Sequence, residues 1–187
     1  MGKTKAEKAD IKAAKKAAKW REHQAVKVAG WVSEIADQPQ LLSLCAATLA
    51  AGLVRRDARL ATTGARMLAA AGVAILAKDG VKHWVDRTRP GVVVDGGRYR
   101  RRKGKGTGDG ELGSFPSGHT AGAVAVARAL VRGYPTAAVP AYAAAGLIAA
   151  VQVPRCAHYP SDIGAGALIG WLAEWAVAGA EGQLRRA

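Results

Sequence analysis

The chain has 187 residues; half are AVILMFWYC, 22% are charged and the net charge is +14. That length is one domain's worth by the usual size prior, and two cysteines, Cys45 and Cys156, cannot make a disulfide framework. No secretory signal peptide is expected, because the first 30 residues hold nine Lys/Arg and no continuous apolar core.

The charges cluster at Lys3–Lys27 and Arg98–Lys105, leaving apolar stretches between them. Lys3–Val32 reads as one basic helix. Ile11, Ala14, Ala18, Ala25, Val28 and Val32 recur at helical steps, with Lys8, Lys12, Lys15, Lys16 and Lys19 around the rest of the wheel. Such a helix lies on an anionic lipid surface or stands as a solvated arm. Trp20 and Trp31 favour the interface, where tryptophan is enriched.

Gln38-Pro39 stops that helix, and five apolar segments follow: Gln40–Val54, Leu60–Ala77, Thr120–Val131, Thr136–Val153 and Ile163–Ala180. They are short against the ~20 residues of a straight span. Arg66, Arg128 and Glu174 fall inside them, each costing about 2.5–3.5 kcal/mol at mid-bilayer if unpaired. A soluble bundle of buried helices is the competing reading; the number of segments favours the membrane. Gly91–Ser114 is the longest polar stretch, glycine-rich and basic from Arg98 to Lys105, and reads as an irregular loop. Apart from Tyr99 no aromatic residue interleaves its charges, so no nucleic-acid partner is expected. The resulting division is a basic arm at 1–37, a membrane domain at 38–182 holding the 91–114 loop, and a short tail at 183–187.

Three short stretches carry anion-handling chemistry. Lys82 to Pro90 supplies two cations, Lys82 and Arg89. Pro90 disfavours helix at Arg89, so Lys82 is read as helix end and Arg89 as loop. Pro116 to His119 places a hydroxyl, a glycine amide and a histidine at the head of an apolar run. Ser117 is a natural N-cap, and free amides at a helix start bind anions. Arg155 to Asp162 adds a cation, His158 and, four residues on, a carboxylate. A basic cradle with two histidines, one backed by an acid, suits transfer of a phosphoryl group through phosphohistidine. No cofactor or divalent metal is implied, since no acidic cluster is evident to hold one.

The order and spacing resemble the type-2 phosphatidic acid phosphatase and vanadium haloperoxidase superfamily over roughly Leu68 to Gly170. The family pattern is Lys, six residues, Arg-Pro; then Pro-Ser-Gly-His; then Ser-Arg, five residues, His, three residues, Asp. The first two motifs match completely and so does the last half of the third; Val151-Gln152 stands where the family has Ser-Arg. The resemblance implies an all-α, integral-membrane bundle of about five spanning helices behind the basic amphipathic arm. It implies a phosphatase acting on a lipid phosphate or pyrophosphate of the phosphatidate, phosphatidylglycerophosphate or polyprenyl phosphate type. His158 would be nucleophile, Asp162 the acid that fixes its tautomer, and His119 the general acid. Lys82, Arg89, Ser117 and Gly118 would bind phosphate, and Arg155, one turn beyond Gln152, would replace the missing cation. The alternatives are an inactive lipid-phosphate-binding relative and a soluble, vanadate-dependent haloperoxidase-like enzyme.

With five spans, the arm, the 91–114 loop and the Arg155–Asp162 turn share one side. That side holds 20 of the 28 Lys/Arg and the other six. The positive-inside rule then puts the site on the cytoplasmic face of a bacterial inner membrane.

Overall fold

All five apolar segments are helical in a computed structural model of the chain, which describes residues 3–104, 110–184 and 186. Lys105 of the basic loop, residues 106–109 beside it, and residues 185 and 187 of the tail lie outside the described residues. The segments become α3 (Gln38–Val54), α4 (Ala58–Trp84), α6 (Gly118–Gly133), α7 (Ala138–Val151) and α8 (Pro160–Leu184). Ahead of them lie α1 (Lys5–Ala18) and α2 (Gln24–Ser33), and α5 (Pro90–Val94) is a single short turn. By length and composition α4 and α8 are long and apolar enough to cross a membrane, while α3 and α7 are apolar but shorter.

The single N-terminal helix expected over Lys3–Val32 is in fact two. Thr4 opens α1 with a capping box, its hydroxyl accepting from Glu7 N while the Glu7 carboxylate accepts from Thr4 N. After Ala18 the hydrogen bonds tighten to three-residue turns, Trp20 N to Ala17 O and Arg21 N to Ala18 O, and His23 caps α2. Of the expected apolar stripe, Ala14 is buried, but polar residues share the docked face with it. α1 buries Glu7, Asp10 and Ala14, and α2 buries Gly30 and Ser33, leaving Val28, Trp31 and Val32 exposed. Polar contacts, described below, select that face.

The fold is not purely α. Gly91–Ser114, expected to be irregular, begins with α5 and carries β2 (Arg101–Lys103), antiparallel to β1 (Val85–Arg87) with Asp86 opposite Arg102. The ladder satisfies backbone groups where α4 ends, and an Asp86–Arg102 ion pair of 3.0 Å crosses it.

Alanine makes the core: Ala70, Ala71 and Ala74 of α4 meet Ala125 and Ala129 of α6, with Leu41, Cys45 and Met67 alongside. Such small residues let helices approach closely. A Cβ on Gly166 would lie 2.5 Å from Ser117 O and one on Gly170 2.3 Å from Ala121 O, so α6 and α8 touch backbone to backbone there. Gly52 and Gly64 do the same for α3 and α4.

The charges inside the apolar segments are paired. Glu174 takes Arg128 at 3.0 Å and Arg132 at 2.9 Å; Glu181 takes Arg66 at 2.5 Å and Arg132 at 3.3 Å. This network ties the first half of α4 to the last halves of α6 and α8. Removing Glu174 leaves Arg128 without its carboxylate and Arg132 with Glu181 alone, so Glu174→Ala should lose about 3 kcal/mol of stability. The measure is the unfolding midpoint of the purified protein, with the exposed Leu184→Ala as a near-neutral control.

Candidate active site

At the other end of the bundle, backbone hydrogen bonds lace the three sequence motifs together. Ser114 N donates to Arg87 O at 3.1 Å, Ser117 N to Asp162 O at 3.0 Å, and Gly91 N to Cys156 O at 2.9 Å. A cavity of about 450 Å³ opens there, its polar lining including Lys78, Lys82, Arg89, His119, Arg155 and His158. Pro39, Leu41 and Ile75 line it as well.

Each cation is delivered by its local structure. Lys82 lies two residues inside the end of α4, and Lys78 lies one turn before it on the same face. Arg89 is the N-cap of α5, extended at φ −64° and ψ 149°, with Pro90 at the first helical position. Among the described residues Arg89 Nε is buried without a hydrogen-bond partner. Ser117 caps α6, its hydroxyl 2.9 Å from Thr120 Oγ1, and is buried away from the cavity. Gly118 does reach the cavity. A Cβ there would come within 3.2 Å of Lys78 Cδ, so this glycine makes room for a lysine stem.

His158 is nearly enclosed, and its Nδ1 lies 2.6 Å from Ser114 O. A carbonyl only accepts, so Nδ1 carries the proton and Nε2 keeps its lone pair. Burial, and then the charge of Arg89, push its pKa down to about 3. The expected direct bond from Asp162 is absent: Asp162 Oδ2 stands 3.9 Å from Nδ1. That carboxylate is taken instead by Ser114 Oγ at 2.6 Å, Tyr159 N at 2.8 Å and Arg87 Nη1 at 2.5 Å. Asp162 therefore holds His158 through the Ser114 segment.

His119 faces two acids that the sequence reading passed over. Its Nε2 is 3.0 Å from Asp37 Oδ1 and 4.0 Å from Glu34 Oε2, close enough for attraction but off the line of a hydrogen bond. The three groups offer ligand atoms within 4.8 Å of one another, which corrects the expectation that no acidic cluster exists. Burial, then the hydrogen bond and charge of Glu34, push the Asp37 carboxyl up to about 6. Glu34 also binds Arg155 Nη2 at 2.5 Å, and Arg155 Nη1 donates to Ser33 Oγ at 2.8 Å. Gln152 is fully buried, its Nε2 3.3 Å from the same Ser33 hydroxyl. Arg155 N bonds to Val151 O at 3.1 Å, so the turn after α7 stays helix-like and brings Arg155 beside Gln152, as the spacing implied.

Residues 63–185 match the family model of the PAP2 superfamily. The chain belongs to the PAP2 superfamily. Its fold is similar to a transmembrane PAP2-type phosphatidylglycerolphosphate phosphatase from Bacillus subtilis, with a TM-score of 0.73 and 24% identity over 96% of this chain and 88% of that one. It is also similar to Aquifex aeolicus LpxE, with a TM-score of 0.69 and 18% identity over 91% and 94% of the two chains. No curated protein sequence matches significantly. The PAP2 match begins at Thr63 and so leaves α1, α2 and the acids Glu34 and Asp37 outside it. Those residues carry no motif. The one signal for Lys78 was its four-residue spacing from Lys82.

The depressed His158 pKa has a consequence for stability. An unfolded histidine binds a proton near pH 6.5, whereas folded His158 resists it down to about 3. Between those values the unfolded state binds more protons, so this contribution is full above pH 6.5 and is lost as pH falls. His158→Gln should flatten the acid side of a stability–pH curve. Asp37 acts in the opposite sense between 3.8 and about 6, so the wild-type-minus-variant difference isolates the histidine.

Proposed function

We propose that this PAP2 protein is a multi-pass membrane phosphatase that hydrolyses a lipid phosphate monoester or diphosphate through a phosphohistidine intermediate. The observation that carries the reading is the cavity itself, whose lining brings four cations and two histidines together with the apolar side chains of Pro39, Leu41 and Ile75. Lys82 and Arg89 hold the phosphoryl oxygens, with Lys78 and the start of α6 beside them. Free Nε2 of His158 attacks phosphorus, and the P–O bond to the lipid breaks as His119 gives its proton to the departing oxygen. Water then attacks the phosphorus and passes a proton to His119; phosphate leaves and His158 Nε2 regains its lone pair. Ionised Asp37 and Glu34 favour the protonated state of His119 against burial and the nearby cations, which oppose it. Cations neutralise the transferring group without a divalent metal in the scheme. Phosphatidate, phosphatidylglycerophosphate and polyprenyl phosphate all pair a phosphate with an apolar chain, as the mixed lining requires. The five apolar helices span, the lysines of the arm face anionic lipid, and the site faces the cytoplasm. Labelling of Lys103→Cys by an impermeant thiol reagent reads that face.

In a lipid-phosphate panel, His158→Ala should abolish turnover and any acid-labile phosphoenzyme. His119→Ala should spare labelling more with a substrate whose leaving group is already good. Vanadate should inhibit and chelation with EDTA should leave the rate intact. A full rate in His158→Ala, or magnesium-restored activity after EDTA, would remove the mechanism.

Arg155 and Gln152 separate two versions of the cradle. Arg155→Ala should cost about 10²–10³-fold in turnover if its charge reaches the transition state. Gln152→Ala removes only a neutral amide, a loss of about 0.5–1.5 kcal/mol. The reverse order in measured kcat would place the family cation's role at Gln152 after all.

A further inference from the structure

We propose that Asp10, in the N-terminal arm, is a positioning residue for the His158 ring and acts on it through Arg87. The proposal rests on the reading of His158 as nucleophile. Asp10 lies outside all three motif stretches. Asp10 sits in α1, more than 140 residues before His158 in the chain. Arg87 occupies an unassigned place between Lys82 and Arg89.

The connection is continuous and buried. Arg87 is 4% exposed, Asp10 7% and Asp162 0%. Arg87 Nη2 donates to Asp10 Oδ2 at 2.7 Å, and Nη1 donates to Asp162 Oδ1 at 2.5 Å. The second Asp162 oxygen accepts from Ser114 Oγ, and Ser114 O is the partner of His158 Nδ1. Ser161 closes the ring from the other side. Its Oγ donates to Asp10 Oδ2 at 2.5 Å and its N to Asp10 Oδ1 at 3.2 Å, and it accepts from Arg87 Nη1 at 2.8 Å. The guanidinium also lies 4.3 Å over the Tyr159 ring, next in chain to the histidine.

One buried guanidinium is thus shared by two carboxylates, and its orientation depends on both. With the Asp10 charge gone, Asp162 is the one remaining anion in direct contact with Arg87, and a single amide oxygen is left to accept from both Arg87 and Ser161. Arg87 is then free to swing towards both Asp162 oxygens and to displace Ser114 Oγ from Oδ2. The Ser114 carbonyl, which fixes the proton on Nδ1, moves with it. Docking of α1 and tautomer selection at His158 are therefore one event. This also accounts for the burial of an acid on an arm whose exposed charges are almost all lysines. Glu7 adds a second link of the same kind, accepting from Tyr99 Oη at 3.0 Å, itself 3.2 Å from Arg87 Nε.

The test is Asp10→Asn in the full-length protein, with two readouts. The first is the His158 side-chain ¹⁵N spectrum, which reports where the ring proton sits without any turnover. The second is kcat and KM on phosphatidate in mixed micelles. We expect the Nδ1–H signal to weaken or split, and kcat to fall about 10–100-fold, the usual scale for a second-layer partner. KM should stay within about twofold, because Lys82 and Arg89 are untouched. Asp10→Glu should recover part of the rate, and the exposed Ala9→Ser should change nothing. Should Asp10→Asn fail to fold, Ser161→Ala, which breaks the same ring without removing a charge, should give the same spectral change and a several-fold loss of kcat. An unchanged His158 spectrum and kcat with only a lower melting temperature would overturn the proposal, leaving Asp10 as a docking contact. Wild-type protein inactive on every lipid phosphate would count against the phosphatase reading, while the spectrum would still decide for or against the positioning role.

Discussion

Asp162 has no exposed surface, yet every part of the candidate site is hung on it. Its side chain accepts from Arg87, from Ser114 and from the Tyr159 amide, and its backbone carbonyl accepts from Ser117. Those donors belong to the segment after α4, the segment before α6, and the turn into α8. A buried carboxylate is costly unless its lone pairs are satisfied, and stabilising once they are. Here that requirement is met by bringing together the three stretches that also carry Lys82 and Arg89, His119, and His158. Loss of any one donor would be felt at the others.

How much of this was legible in the sequence follows from how local each feature is. The five apolar segments were readable because burial of alanine-rich faces repeats along a helix, and each is helical. The cavity residues Lys82, Arg89, His119, His158 and Arg155 were readable because the motifs are short and ordered. What escaped depends on contacts made across the fold. No pattern near Asp10 says that it will meet Arg87, and no pattern near Glu34 or Asp37 says that they will face His119. The break between α1 and α2 has neither glycine nor proline to mark it. The ladder of β1 and β2 escaped because a glycine-rich basic run looks irregular by composition, and only its partner strand makes it a strand.

The two ends of the bundle solve one electrostatic problem in opposite ways. At the far end Arg66, Arg128 and Arg132 are matched by Glu174 and Glu181 within ion-pair distance, which ties α4, α6 and α8 together. At the site end Lys82 and Arg89 are gathered without acids in contact, and Arg89 keeps a buried donor unpaired among the described residues. A network that neutralises itself gives stability and attracts nothing. A cluster left positive sacrifices some stability and gains affinity for an anion, the trade expected where binding is the purpose. The Glu34–Arg155 pair stands between these cases: it lines the cavity but is already half neutralised.

The placing of Asp162 beyond hydrogen-bond reach of His158 bears on what that histidine can do. A carboxylate bonded directly to Nδ1 would raise the ring's basicity and favour the imidazolium before phosphate arrives. A backbone carbonyl fixes the same tautomer with only a dipole, so the ring stays neutral and Nε2 stays free. Burial and Arg89 press in the same direction, keeping the resting ring unprotonated far below neutral pH. In the proposed mechanism positive charge develops on the ring only as the N–P bond forms, and at 3.9 Å the Asp162 charge would still stabilise it through a medium of low dielectric. Because Arg87 draws on the same carboxylate, the strength of that stabilisation is set by how firmly Arg87 is held elsewhere. Asp10 supplies that hold, so under the proposed mechanism the N-terminal helix would take part in the chemistry although it lies outside the matched family region.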